Sequence, residues 1–359
     1  MRFSRNLYRF SILLTSLLLA GCGSDDEPGA SADDIHFPNS QTWESITMED
    51  LGWQRTALSP LLEFLENTNT EAFILLKNGR IVIEEYFGET EASDNLPWFS
   101  AGKTLTAVLA GNGVKEGFFD ENQTTNHYLG PGWSSLREED EAEIRVRHHL
   151  SMTTGLNDRV NDPFCTGPPC LFKLEIPGAR WAYHNAPYTL VTNMLETSGT
   201  DLNEQTRNLI GSTIGMNGSW VNIGFNRIYF STPRSMARFG LLLLAETEWN
   251  GNPAMVAPGY FERMTTSSQA LNPAYGYLTW LNGQSSFKIP GIQADFPGMI
   301  APSAPADMYA AMGRDGQLIN VVPSEGLVMI RMGDAPNNDL VPFSYQEDLW
   351  AHLSRLFQP

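Results

Sequence analysis

Apolar positions recur at helical spacing through EDLGWQRTALSPLLEFLENTN, which predicts a helix over Glu49 to Asn69. EAFILLKNGRIVIEEYFGE follows as two β-rich runs around Asn78-Gly79, a dipeptide suited to the turn of a hairpin. WFSAGKTLTAVLAG predicts a helix from Ser100 to Asn112. From Glu121 to Ile223 the pattern is mostly helical, with Gly and Pro breaks. STPRSMARFGLLLLAE, Ser231 to Glu246, begins like a capped helix and continues as a buried one. AYGYLTWLNG, Ala274 to Gly283, reads as a sheet strand with its aromatics in core positions. QLINVVP and GLVMIRMG form a second hairpin through Ser324-Glu325-Gly326, and SYQEDLWAHLSRLF closes the chain as an amphipathic helix. Strands at both ends with helices between predict an α+β fold. The N- and C-terminal strands should meet in one antiparallel sheet flanked by helices, with a helical lobe at 121–223 inserted.

The first residues follow a different logic. MRFSRNLYRF carries Arg2, Arg5 and Arg9, and SILLTSLLLAG follows as a short apolar run before Cys22. A basic start, a short apolar core and small residues before a cut make a secretory signal over 1–21. The run is too short for a permanent membrane span, which takes about 20 apolar residues. Leu19-Ala20-Gly21-Cys22 resembles a bacterial lipobox, which implies lipidation of Cys22 and an envelope location facing the periplasm. Gly23 after the cysteine, by the same resemblance, points to the outer membrane. GSDDEPGASADD is small, polar and acidic, so residues 22–45 read as a tether and 46–359 as one globular domain.

The chain has 359 residues, enough for a large core, and a net charge of −18, which disfavours nucleic acid as a partner. Of its three cysteines, Cys165 and Cys170 remain if Cys22 takes lipid. In DPFCTGPPCLF, in an oxidising compartment, they are expected to form a disulfide, two free thiols being the alternative. The six histidines include no His-x-x-x-His or His-x-His, so no metal site and no cofactor is expected. No Gly-x-Ser-x-Gly elbow is present, which disfavours an α/β-hydrolase.

The candidate chemistry starts at Ser100 and Lys103. Residues three apart on a helix share a face. A serine on the first turn presents an unpaired backbone N–H at the positive end of the helix dipole, which favours an oxyanion. A partly desolvated lysine one turn deeper can accept the serine proton. The pair is equally a serine cap and an ordinary lysine, and Ser285-Ser286-Phe287-Lys288 fits the same spacing. WAYHNAPYTLV adds Tyr183 and Asn185 around His184; in extended backbone the two project the same way, a phenol for proton transfer beside an amide. A core tyrosine beside a capping asparagine is the plainer reading. His148-His149 read as structural residues before the LSMTTGL turn. Of the aromatics Trp98, Phe164, Tyr188, Tyr275, Tyr277 and Trp280, one or two are expected to border a cleft, with the Cys165–Cys170 loop as one rim.

FSAGKTLTAVLAG, HHLSMTTGLND and WAYHNAPYTLV, in this order, resemble the serine β-lactamase and penicillin-binding-protein superfamily. LSMTTGL and MYAAMGRDGQLINVVPSEGLVMI are similar to its branch of class C-like esterases and 6-aminohexanoate-dimer hydrolases. The resemblance, from Thr70 to Met332, implies Ser100 as acylated nucleophile, Lys103 as its base, Tyr183 as second proton shuttle and Asn185 as a substrate- or lysine-orienting group. Where the superfamily carries Lys-Thr-Gly or His-x-Gly, this chain has Ala311-Met312-Gly313. Gly313 and Arg314 then become candidates for substrate binding and the second oxyanion donor, and the usual carboxylate partner is missing. The implied activity is hydrolysis of a small-molecule ester or amide. The alternatives are a D,D-peptidase or β-lactamase, or a non-catalytic envelope binding protein of this fold.

Overall fold

The computed structural model describes residues 35–39, 42–336 and 339–357. The signal segment, Cys22 and most of the tether lie outside the described residues.

β1 (Thr70–Lys77) and β2 (Arg80–Tyr86) form the first hairpin. Asn78 and Gly79 have φ of 46° and 75°, the pair of positive values that a two-residue turn needs to match the twist of its strands. The remaining strands are β3 (Leu96–Pro97), β4 (Gly218–Ile223), β5 (Asn226–Ser231), β6 (Trp280–Leu281), β7 (Ser286–Phe287), β8 (Phe296–Pro297), β9 (Tyr309–Gly313), β10 (Gln317–Val322) and β11 (Leu327–Gly333). The main sheet has the order β2-β1-β11-β10-β9-β6, with every neighbouring pair antiparallel. β1 lies on β11, with Leu75 opposite Met329, so the first and last strands of the sheet are neighbours as expected.

The sheet is covered on both faces. Gly240 of the Pro233–Leu244 helix lies against Val328, Ile319 and Ile330. Asn320, the next residue on β10, faces the other way and bonds Gln346 and Trp350 of the Phe343–Leu353 helix. Every residue of β10 and β11 is buried, which is why these runs are almost continuously apolar rather than alternating. Helix Leu58–Asn67 packs against the closing helix and β1.

Three expectations are corrected. The first helix starts at Leu58, not Glu49: Gly52 turns at φ 68°, and Pro60 suits a first helical turn. The inserted segment is less helical than its pattern. Ser151 to His184 is a long irregular stretch with one 3₁₀ turn at Pro168–Cys170, and the segment ends as strand β4. Its Gly, Pro, Asn and Asp residues favour turns over helix. In Ala274 to Gly283 only Trp280 and Leu281 join the sheet; Leu278 turns at φ 50°. The helix Gly102–Glu116 runs through the interior and is buried on all sides over its first three turns, ending at Gly117 in the left-handed region.

Candidate active site

Pairing with a strand distant in the chain sets the position of Ser100. β3 pairs with β5, Leu96 opposite Ser231 and Pro97 opposite Phe230. The next residue, Trp98, donates its backbone N–H to Tyr229 O and its indole N–H to Ser231 Oγ, both at 2.8 Å. Phe99 has φ 45°, a costly value for a bulky residue. Ser100 sits in the 3₁₀ turn Phe99–Ala101, directly before the buried helix, and makes no cap bond through its side chain. β9 ends against this turn. A Cβ at Gly313 would lie 2.4 Å from Trp98 O and 3.0 Å from Ala101 N, so only glycine permits that approach.

Lys103 Nζ donates to Ser100 Oγ at 2.8 Å and to Asn185 Oδ1 at 2.8 Å. The side chain is 2% exposed, and burial pulls its pKa down to about 7. The rings of Tyr183 and Tyr188 lie 4.8 and 4.5 Å from the amine, and their faces favour its charged form, against burial. Asn185 opens the helix Asn185–Glu196, so a helix start carries the amide to the lysine. The Tyr183 ring stacks on Trp280, 5.5 Å between centroids. Burial pushes the Tyr183 pKa up, keeping the phenol protonated at neutral pH. Its hydroxyl makes no hydrogen bond within bonding geometry, yet Ser100 lies near enough to oppose that upward push. The four residues singled out from two motifs therefore converge.

His184, between Tyr183 and Asn185, is buried away from the cleft, and burial lowers its pKa to about 4. His149 bridges Thr125 Oγ1 and Pro187 O at 2.9 Å each, which ties the segment before LSMTTGL to the helix bearing Asn185. The competing Lys288 is held by Asp295 at 2.5 Å and by Gln293 O at 2.9 Å, far in role from a free base.

Ser100 and Lys103 lie in a cleft of about 540 Å³. Phe164 and Tyr188 line it, as two of the six candidate aromatics; Trp98, Tyr275, Tyr277 and Trp280 are core residues instead. The reading of the sequence missed Phe99, Ile223, Phe225, Ile228 and Leu340, which form most of the apolar wall. The signal available was Asn222-Ile223-Gly224-Phe225-Asn226, a turn with large apolar residues where polar ones are usual. Arg314 also lines the cleft; its guanidinium lies 4.6 Å over the Phe99 ring and pairs with Asp315 at 3.1 Å. Cys165 and Cys170 form a disulfide with Cα atoms 5.9 Å apart. Asp162 and Phe164, just before it, stand at the cleft, and Pro163 O accepts from Ala186 N–H at 3.0 Å. Among the described residues, no cluster of His, Cys, Asp and Glu is arranged to hold a metal, and no helix is long and apolar enough to cross a membrane.

The fold has close counterparts among solved structures. A candidate 6-aminohexanoate-dimer hydrolase from Bacillus anthracis superposes with a TM-score of 0.66 at 19% identity, covering 92% of this chain and 91% of that one. A penicillin-binding protein homologue from Caulobacter crescentus gives 0.61 at 14%, covering 83% and 97%. A β-lactamase from Mycobacterium bovis gives 0.58 at 18%, covering 82% and 96%. No curated protein matches the chain. The β-lactamase family model matches residues 67–339, which span the sheet, the Ser100 turn and the cleft. The chain belongs to the β-lactamase family and is a serine hydrolase of the β-lactamase and penicillin-binding-protein superfamily.

Proposed function

We propose that this protein cleaves an ester or amide through an acyl-enzyme on Ser100. The observation that carries the reading is the 2.8 Å contact between Ser100 Oγ and a buried Lys103 amine whose pKa falls to about 7. At neutral pH much of that amine is free base and accepts the hydroxyl proton as Oγ adds to the carbonyl carbon. The carbonyl oxygen gains the charge, and the Ser100 N–H with that of Gly313 or Arg314 receives it at the start of the Gly102–Glu116 helix. Tyr183 protonates the departing alcohol or amine. Water then adds to the acyl carbon, loses a proton to the same machinery, and releases the carboxylic acid and Ser100. Asn185 holds the Lys103 amine toward Ser100 throughout.

Position 311 is alanine, and Arg314 is engaged with Asp315, so a substrate without a carboxylate is the better fit. Arg314 at the cleft is what favours the second reading, a β-lactamase or D,D-peptidase. Lipid anchoring through Cys22 in the envelope completes the proposal, with the tether shortened from the expected 22–45, because Ile35, Phe37 and Trp43 pack on the core and His36 N–H bonds Asn78 O at 2.9 Å.

The test is intact-protein mass spectrometry after brief exposure to a p-nitrophenyl ester, run beside Ser100→Ala and Lys103→Ala. One acyl adduct, mapped to Ser100 and missing from both variants, supports the reading. Equal labelling of Ser100→Ala overturns it, and no adduct or turnover with any ester or amide favours a non-catalytic binding protein. Covalent labelling by a fluorescent penicillin moves the assignment to the second reading.

A further inference from the structure

We infer that the cleft beside Ser100 selects an apolar acyl chain of several carbons; this rests on the Ser100 acyl-enzyme reading and names the substrate class for it. Apart from Ser100 and Lys103, the polar groups on its wall are Asp162, Asn226, Arg314 and the phenol of Tyr188. Phe99, Phe164, Ile223, Phe225, Ile228 and Leu340 supply most of the surface around the serine. Three of these are exposed: Ile223 at 54%, Phe225 at 46% and Leu340 at 36%. Large apolar side chains left in water at the mouth of a cleft gain free energy only when something apolar covers them.

Besides Phe99 in the Ser100 turn, the wall comes from three separate pieces of chain that nothing local obliges to be apolar. Ile223 and Phe225 flank Gly224 at the tip of the β4–β5 hairpin, and Gly224 has φ 61°, as a tight turn requires. Phe164 directly precedes Cys165, where the Cys165–Cys170 disulfide begins. Leu340 precedes the closing helix. The hairpin is anchored on its other side by the pairing of β5 with β3, the strand that leads into Ser100, so its tip is held at a fixed distance from the nucleophile.

The chain that occupies this wall is the acyl part, not the leaving group. The departing alcohol or amine must reach the Tyr183 hydroxyl. Tyr183 is buried and is not among the cleft-lining residues, whereas Tyr188 and Lys103 are. The group that stays on the serine is therefore the one the apolar wall meets. Arg314, stacked on Phe99 and paired with Asp315, leaves the aromatic edge of the wall covered by a charge that is already answered.

The experiment measures kcat/KM of the full chain for p-nitrophenyl acetate, butanoate, hexanoate and octanoate, all below their aggregation limits. A parallel series holds the acetyl group and lengthens a linear alcohol. Each methylene buried should raise kcat/KM about fourfold up to the length of the cleft, in the acyl series only. Phe225→Asp should lower the octanoate-to-acetate ratio about tenfold. Val221→Asp, exposed on the same hairpin but outside the wall, should leave that ratio at the parent value. Acetate turnover with a flat acyl series, a gain that follows the alcohol series, or an equal loss in Val221→Asp would overturn the inference and leave the Ser100 reading intact. No adduct and no turnover with any ester or amide would remove the acyl-enzyme reading, and this inference with it; turnover of amides but of no ester would overturn this inference alone.

Discussion

The Lys103 amine stands 2.8 Å from Ser100 Oγ and 2.8 Å from Asn185 Oδ1, so one buried nitrogen joins two motifs that lie 82 residues apart in the chain. Nothing in the described surroundings neutralises a charge on that nitrogen; its hydrogen-bond partners are a hydroxyl and an amide. Burial then decides its protonation, and its protonation decides whether Ser100 has a base.

The first consequence concerns stability. The Lys103 pKa falls from 10.5 to about 7 on folding. Below pH 7 the amine is charged in both states, and the folded protein carries the whole cost of burying it. Between pH 7 and 10.5 only the unfolded chain holds the proton, so the cost declines as pH rises, and above 10.5 it is gone. Lys103→Met should therefore stabilise the protein by on the order of 2–4 kcal/mol at pH 6. The gain should shrink steadily toward pH 10. Thermal melts at pH 6 and pH 10 check this; an equal shift at both would show that packing, not charge, governs the site.

The same titration should appear in catalysis. A base that works as free amine gives kcat/KM rising through pH 7 and level above it. Asn185→Asp places a carboxylate 2.8 Å from the amine, favours its charged form and moves the rising limb to higher pH. The pH profiles of parent and variant, measured on one ester, decide the matter. An unmoved limb would mean that a group other than Lys103 is being titrated.

Tyr183 offers a cleaner separation of chemistry from folding. Its hydroxyl makes no hydrogen bond, while its ring packs on Trp280 and Tyr275. Tyr183→Phe keeps the packing and removes the proton carrier. The melting temperature should hold, and kcat should fall by about 10²–10⁴-fold. A loss of only a few-fold would assign the proton transfer elsewhere.

Gly313 tests the contact between β9 and the Ser100 turn. Gly313→Ala drives a methyl against Trp98 O, which must move β9 or the turn itself. The stability loss should be about 1–3 kcal/mol. Acylation should slow by more than that loss would produce through unfolding alone, read as single-turnover adduct formation on the folded fraction. Normal acylation would place the second oxyanion donor away from this strand.

Much of this was legible in the residues. Ser100 and Lys103 share a helix face by spacing, and Asn78-Gly79 announced its hairpin, because both depend on backbone geometry over a few residues. The ends of the β10 and β11 runs were placed correctly for the same reason. The stretch from Ser151 to His184 was read as more helical than it is: its Gly, Pro, Asn and Asp residues favour turns, and its Leu156 and Leu171, with no α-helix between them, are buried in a small cluster with Trp133 and Leu190. The aromatics of Ala274 to Gly283 occupy the core as read, but Leu278 turns the chain, so only Trp280 and Leu281 of the segment join the sheet. The direction of Arg314 was open until β9 placed it over Phe99.

The sequence by itself determined the identity and order of the reacting groups, the strand pairs closed by short turns, and the superfamily those motifs resemble. Only the tertiary structure decided that Lys103 is buried, that Asn185 rather than a carboxylate meets it, and that residues from a hairpin, the Ser100 turn, the residue before the disulfide and the approach to the last helix form one apolar wall. The physical reason is that periodicity and turn chemistry act between near neighbours. Desolvation and the shape of a cleft are set by atoms far apart along the chain, whose meeting no local pattern records.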